Sequence, residues 1–249
     1  MSLLNTLATD ANIEDEKDTL GGGGVLESGI YNCLVTMAYL DKSAGGALSL
    51  RLHFKTQEGR EFRQCLWIAS GDAKGNKNYY ETKNGEKKYL PGYIHANALS
   101  LLIVGKELPN MDTEQKVVNV YNAEAQAEVP TKVEVLMDLL NQPIKVGLLK
   151  QTVDKRSKAD DGSYQPTGET REENEIDKLF RASDSMTTAE IRAQAEEAMF
   201  IHTWEQKWAG KTKDKTSKDS GTVRPMAGSN GATGRPVANN PRPTASLFG

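Results

Sequence analysis

Basic and aromatic side chains are interleaved in two neighbouring stretches of the sequence. The first set lies on what alternation predicts to be the polar faces of two strands: Arg51, His53, Lys55, Arg63 and Trp67. The second set lies between residues 74 and 89: Lys74, Lys77, Lys83, Lys87, Lys88, Tyr79, Tyr80 and Tyr89. Cations that follow phosphates, together with flat rings that stack on unpaired bases, are what binding of single-stranded nucleic acid requires.

These residues give a specific binding hypothesis. The rings predicted to stack on bases are Trp67, Tyr79, Tyr80 and Tyr89. The cations predicted to contact phosphates are Arg51, Lys55, Arg63, Lys74, Lys77, Lys87 and Lys88. Two other interpretations remain open. In the first, the basic sheet face is an ordinary solvated surface, and a C-terminal helix covers Trp67. In the second, the tyrosines pack the 74–89 segment onto the body of the protein.

Catalytic patterns are scarce by comparison. The three histidines, His53, His95 and His202, are far apart, and none has metal-ligand spacing. Cys33 and Cys65 are too few for a disulfide framework. No acidic cluster typical of a nuclease stands out, because Asp160 and Asp161 precede a glycine and indicate a turn. We therefore expect neither enzymatic activity nor a cofactor.

The net charge of −3 on 249 residues conceals strong sorting along the chain. Residues 1–28 carry six acids and one base, and residues 159–208 carry 12 acids and five bases. Residues 29–158 have four more bases than acids, and residues 209–249 have five more. A basic central region and a basic end thus alternate with two acidic stretches, which favours an anionic partner for the basic parts.

Residues 30–68 indicate an antiparallel meander. Strands are predicted over residues 30–40, 48–55 and 61–68, with turns between them. The segment 70–90 predicts a long hairpin arm, because Asn84-Gly85 is a strong hairpin signal. A helix follows over residues 91–108, beginning at Pro91.

The second half mixes strands, helices and polar segments. Residues 116–122 predict a strand, 133–140 a short helix and 143–153 a strand. Residues 155–174 are predicted to form a loop and 175–181 a helical turn. A capping box at Thr187 begins a helix that runs to about Trp208, and no periodic element follows.

Together these elements predict a mainly β protein with a helical extension. Three strands, an arm, a helix and further strands follow the order of a five-stranded OB-fold-like barrel. We expect an acidic flexible leader over 1–24, an OB-like domain over 25–155, an acidic loop and helical extension over 156–208, and a disordered basic tail over 209–249. No run of about 18 apolar residues is present, and the leader lacks the apolar core of a signal peptide, so we expect a protein of the cytoplasm.

Four stretches carry a family resemblance: Gly29-Ile30-Tyr31-Asn32-Cys33-Leu34-Val35, the run from Ala44 to Phe54, Asn174 to Phe180 followed by Thr187 to Ile191, and the terminal Ser246-Leu247-Phe248-Gly249. In this layout the chain resembles the OB-fold single-stranded DNA-binding proteins of tailed bacteriophages. The resemblance covers most of the chain, and none of its motifs is catalytic.

The resemblance implies sequence-independent binding of single-stranded DNA during phage replication in the host cytoplasm. It also implies that the tail recruits replication proteins through Leu247 and Phe248. One departure is clear, since bacterial single-strand binders end in an acidic run whereas this tail is basic. An alternative therefore stays open: a phage regulatory protein that acts on RNA polymerase through its C-terminal helix and tail, with DNA binding secondary.

Overall fold

A computed structural model describes residues 24–122, 125–158 and 164–216, and strand is its main secondary structure. The described residues form ten strands and three helices. The strands are β1 (Gly29–Lys42), β2 (Leu48–Thr56), β3 (Glu61–Trp67), β4 (Tyr79–Glu81), β5 (Lys87–Tyr89), β6 (Glu114–Asn122), β7 (Ala127–Val135), β8 (Pro143–Lys158), β9 (Tyr164–Arg181) and β10 (Thr212–Asp214). The helices are α1 (Pro91–Ile103), α2 (Thr188–Arg192) and α3 (Phe200–Trp208).

The predicted meander is confirmed, and β1 is its most connected strand. One edge of β1 pairs with β2 from Cys33 to Lys42, and β2 pairs with β3. The other edge is shared: Gly29–Leu34 pair with β8, whereas Tyr39 and Leu40 pair with β7. A bulge between Val35 and Met37 separates these two parts. Such a bulge bends a strand, so the two halves of β1 face different partners.

The main sheet follows the order β3-β2-β1-β8-β9, and backbone pairing does not close it into a barrel. Among the described residues no ladder joins β3 to β9. Instead, the side-chain amide of Gln64 on β3 donates a 2.9 Å hydrogen bond to the carbonyl oxygen of Asn174 on β9. Helix α1 packs against both strands at this seam.

One apolar core lies between the sheet and α1. Its completely buried residues include Leu50, Leu52 and Phe54, which alternate along β2 as the pattern predicts. Leu99 of α1 and Ile144 of β8 cover them from other sides. A smaller cluster lies on the outer side of β8 and β9: Leu149, Phe180 and Trp204.

The β4–β5 hairpin and α1 agree with the sequence. The hairpin turns at Gly85, whose φ of 80° suits glycine and whose amide donates to Thr82 O. Helix α1 begins at Pro91 as predicted but ends at Ile103, before Gly105 with φ 77°. The strands predicted over 116–122 and 143–153 are present and longer.

The short helix predicted over residues 133–140 is wrong. Strand β7 continues to Val135, and only Met137–Leu139 form a 3-10 turn. Val135, Leu136 and Leu139 are all buried, a spacing that imitates one face of a helix.

The loop predicted over 155–174 is wrong for its described residues, 155–158 and 164–174, and the helical turn predicted over 175–181 is also wrong. These residues belong to the β8–β9 pair. The outer part of this ribbon is polar on both faces. Its strands are held together by the backbone hydrogen bonds between β8 and β9. Nearer the body, the register shifts between Gly147 and Leu148. The shift leaves Asp177 unpaired and turns Ile176 and Leu179 to the same core. Strand β8 therefore crosses the domain boundary expected at residue 155.

The C-terminal helix is divided, in contrast to the continuous helix predicted up to Trp208. The capping box at Thr187 is confirmed, but α2 ends at Arg192, and Gln194 has a φ of 53°. The carboxylate of Glu190 accepts hydrogen bonds from the amides of Met199 and Phe200 at the start of α3. After α3, strand β10 pairs in parallel with β8, which corrects the expectation that no element follows Trp208.

Candidate nucleic-acid interface

The outer face of β1, β2 and β3 carries most of the predicted strand-borne binding residues. Across β2 and β3, His53 pairs with Arg63, Arg51 with Cys65, and Ser49 with Trp67. Paired residues of an antiparallel sheet project to the same side. The alternation thus brings together Arg51, Arg63 and Trp67 on one polar face, as the sequence predicts.

The β6–β7 hairpin extends over this face and turns it into a groove. Near its tip the β6–β7 hairpin contacts the sheet through an ion pair, in which Arg63 lies 3.5 Å from the Glu128 carboxylate. The groove encloses about 340 Å³. Its lining residues come from the sheet and from β6: Tyr39, Asp41, Arg51, His53, Arg63, Gln64, Cys65, Asn119, Val120 and Tyr121.

Positive charge in the groove comes from two arginines, and each is paired with a carboxylate. Arg51 lies 2.9 Å from Asp41, and both side chains are about one-third exposed. Burial lowers the pKa of His53, and the neighbouring Arg63 lowers it further. His53 is therefore neutral near pH 7, and its ring packs edge-on to Tyr39 with 6.2 Å between ring centroids.

Two large aromatic side chains on this side of the protein are open to solvent. Trp67 is 45% exposed, and Tyr121 is 61% exposed. The main chain of Trp67 packs closely against Gly92 at the start of α1, which fixes the strand end while leaving the indole accessible. This exposure rules out the interpretation that the C-terminal helix covers Trp67.

Lys55 lies on the same face, outside the groove. It is exposed and pairs with Leu34 of β1, whose side chain is 45% exposed. Both residues line a shallower cavity of about 530 Å³ at the β1–β2–β8 end of the sheet.

The other predicted residues lie on the β4–β5 hairpin and, for Lys74 and Lys77, on the segment before it. None of them lines the groove. The ammonium groups of Lys77 and Lys87 lie 5.5 and 5.2 Å from the centre of the Tyr79 ring. Tyr89 is 56% exposed, and its ring packs on Tyr93 of α1 with ring centroids 5.0 Å apart. The Tyr89 contact agrees with the interpretation in which the arm packs onto the body.

Other residues of the β4–β5 hairpin and of the segment before it are also accessible. Tyr80 is 47% exposed and pairs with Lys88 across the hairpin. Lys88 also lies 3.4 Å from Glu86, and Lys74 is exposed at the end of a 3-10 turn. These cations and this ring are available to a ligand that extends beyond the groove.

Most groove residues were not predicted from the sequence, among them Tyr39, Asn119 and Tyr121. Tyr39 belongs to a strand whose two faces are both fairly apolar, so its direction could not be assigned. Asn119 and Tyr121 lie in a predicted strand, but the partner strand β7 was not recognised. Alternation over residues 131–135 is the signal that would have indicated this hairpin.

Comparisons with known proteins leave the family open. The sequence matches no protein-family model, and no curated protein matches it significantly. The assignment of a function therefore rests on the residues and on the geometry of the groove.

Other candidate sites offer less chemistry. Across residues 24–122, 125–158 and 164–216, no group of three or more His, Cys, Asp or Glu side chains is placed to hold a metal ion, and no helix is long and apolar enough to span a membrane. Cys33 is buried, and burial raises the pKa of its thiol to about 12. The ring of His95 contacts the backbone oxygen of Asp177. Leu247 and Phe248, the predicted partner-binding residues, and Asp160 and Asp161 lie outside the described residues.

Proposed function

We propose that the protein binds single-stranded DNA without sequence preference. The observation that carries this proposal is the shared face: two arginines and two exposed rings lie on or beside one groove between the sheet and the β6–β7 arm. Guanidinium groups bind phosphates, and exposed rings offer surfaces to unstacked bases. Each stacked base adds about 1–3 kcal/mol of binding free energy and requires no particular base.

The strand order supports an OB-like arrangement, which belongs to the same proposal. The five strands β3-β2-β1-β8-β9 follow the OB order, and the Gln64 to Asn174 hydrogen bond spans the place where β3 and β9 would meet. Helix α1, which follows β3, covers that seam. OB folds bind oligonucleotides on the outer face around strands 2 and 3, which here is the groove side.

A role in phage DNA replication is part of the proposal and is supported by the resemblance in layout. A protein that coats exposed single strands protects replication intermediates. Sequence-independent contacts suit this task because the strand to be covered has no fixed sequence.

Titration with oligo-dT at two salt concentrations tests the proposal. We expect quenching of tryptophan fluorescence and an affinity that falls as salt rises, because binding releases counterions from the DNA. Arg63→Ala is expected to weaken binding and to reduce the slope of log K against log salt by about 0.7. Absence of binding at low salt would overturn the proposal.

The chain offers a matched control for Arg63. Arg192 has the same side-chain exposure, 66%, and lies 3.4 Å from Glu107, compared with 3.5 Å between Arg63 and Glu128. Arg192 is not a groove residue. Arg192→Ala removes an equivalent surface charge and should leave the affinity close to that of the wild type. An equal loss in both variants would show that the groove has no special role.

A further inference from the structure

A second basic and aromatic surface lies at the other end of β1, where α3 passes into β10. Trp208 is half-buried and packs against the small cluster of Leu149, Phe180 and Trp204. Two ammonium groups lie over its ring, Lys207 at 5.0 Å and Lys213 at 5.5 Å from the centroid. We call Trp208, Lys207 and Lys213 the α3–β10 patch.

The two lysines of this patch are held by the Trp208 ring and not by a carboxylate. In the described residues neither Lys207 nor Lys213 forms an ion pair. A π system holds an ammonium group in place without cancelling its charge, unlike a carboxylate. By contrast, Lys215 pairs with Glu175, and Lys211 donates to the last carbonyl oxygens of α3.

The patch and the groove lie towards opposite ends of β1. The turn after α3 is attached to the start of β1, since the Gly210 amide donates a 2.8 Å hydrogen bond to Ser28 O. Tyr39 lies at the groove end of β1. The stretch from Ser28 to Tyr39 is about 35 Å long at about 3.3 Å per residue. Lys55 pairs with Leu34 between these two ends and supplies an exposed cation on the way.

We propose that the α3–β10 patch is a second contact site for the phosphates of the same DNA strand that occupies the groove. The inference rests on the proposed function and deepens it, because it assigns a path and a minimum length to the bound strand. A stacked strand advances about 3.4 Å per nucleotide, so about ten nucleotides separate the two sites. Oligonucleotides shorter than this reach only the groove, and longer ones reach both.

The test compares labelled oligo-dT of about 6 and about 18 nucleotides, lengths on either side of this spacing and near the range of OB-fold site sizes. Fluorescence anisotropy measures each affinity for the full chain and for the double variant Lys207→Gln, Lys213→Gln. We expect unchanged binding of the short oligonucleotide. For the long one we expect weaker binding and a salt slope smaller by about 1.4, which corresponds to two lost phosphate contacts.

Tryptophan emission gives an independent readout. In a Trp67→Phe chain the remaining indoles are Trp204, which is buried and donates to Asp177, and Trp208. Addition of the long oligonucleotide should change the emission, and addition of the short one should not. In the Trp67→Phe, Trp208→Phe chain neither should produce a change.

The controls separate failure of this inference from failure of the proposed function. Lys106→Gln removes a lysine charge on the loop after α1 and should leave both affinities unchanged. If the double variant binds the long oligonucleotide with wild-type affinity and salt slope, the second site is refuted while groove binding stands. If neither oligonucleotide binds the wild type, the proposed function itself fails.

Discussion

Glu128 holds one of the two groove arginines, and its replacement should tighten DNA binding. In the free protein, the Glu128 carboxylate competes with a phosphate for the Arg63 guanidinium. The two side chains are 66% and 47% exposed and 3.5 Å apart, which places the pair among exposed ion pairs. Such pairs contribute about 0.2–1 kcal/mol. Glu128→Gln should therefore lower the dissociation constant for oligo-dT by about 1.4- to 5-fold at low salt.

The assay is a titration of labelled oligo-dT at low and at physiological ionic strength. The gain should shrink as salt rises, because exposed charges are screened within about 8 Å at 0.15 M. Glu114→Gln is the matched control, since Glu114 is 58% exposed on the same arm and pairs with Lys116 instead of a groove arginine. Unchanged affinity of Glu128→Gln at low salt, or an equal gain with Glu114→Gln, would refute the competition.

Three further predictions concern the framework that positions the groove. Burial opposes ionisation of Glu190, but the hydrogen bonds it accepts outweigh this effect and lower its pKa. Its stabilising contribution is present above about pH 4.3 and is lost as pH falls, so thermal melts of Glu190→Gln should fall below wild type at pH 7 and converge with it in acid. Gly147→Ala places a Cβ 3.2 Å from the ring of Trp204 and should cost about 1–3 kcal/mol in urea denaturation; an unchanged midpoint would contradict the tight contact. Gln64→Leu removes the bond to Asn174 O across the seam, with an expected loss of about 0.5–1.5 kcal/mol by the same measurement, and no loss would show that α1 alone holds the seam.

The sequence predicted the elements whose two faces differ. Leu50 and Leu52 alternate with Arg51 and His53 along β2, and this contrast revealed both the strand and the side that faces solvent. Turn chemistry was equally informative at Gly85. The polar sheet face of the groove was predictable from the same alternation, because its residues lie between the core residues along each strand.

The remaining elements were missed where contacts between distant segments, and not the local hydrophobic pattern, determine the structure. The outer part of β9 has no buried face, and the bulge at Asp177 gives its inner part a helix-like spacing. Tyr121 enters the groove only because the β6–β7 hairpin folds over the sheet, which no spacing within β6 records. The break between α2 and α3 depends on the Glu190 carboxylate accepting from a second helix.

The sharing of β1 among three strands has a consequence for the order in which the chain folds. Its first half has no full set of partners until β8 is synthesised, and Leu26 is joined to Asn174 across 148 residues. Contacts of such long sequence separation form slowly, because the intervening chain must first be closed into a loop. A nascent chain therefore keeps the edge of β1 open while most of the domain is being translated. We expect refolding to be slow and prone to association at high concentration, until β8 occupies that edge.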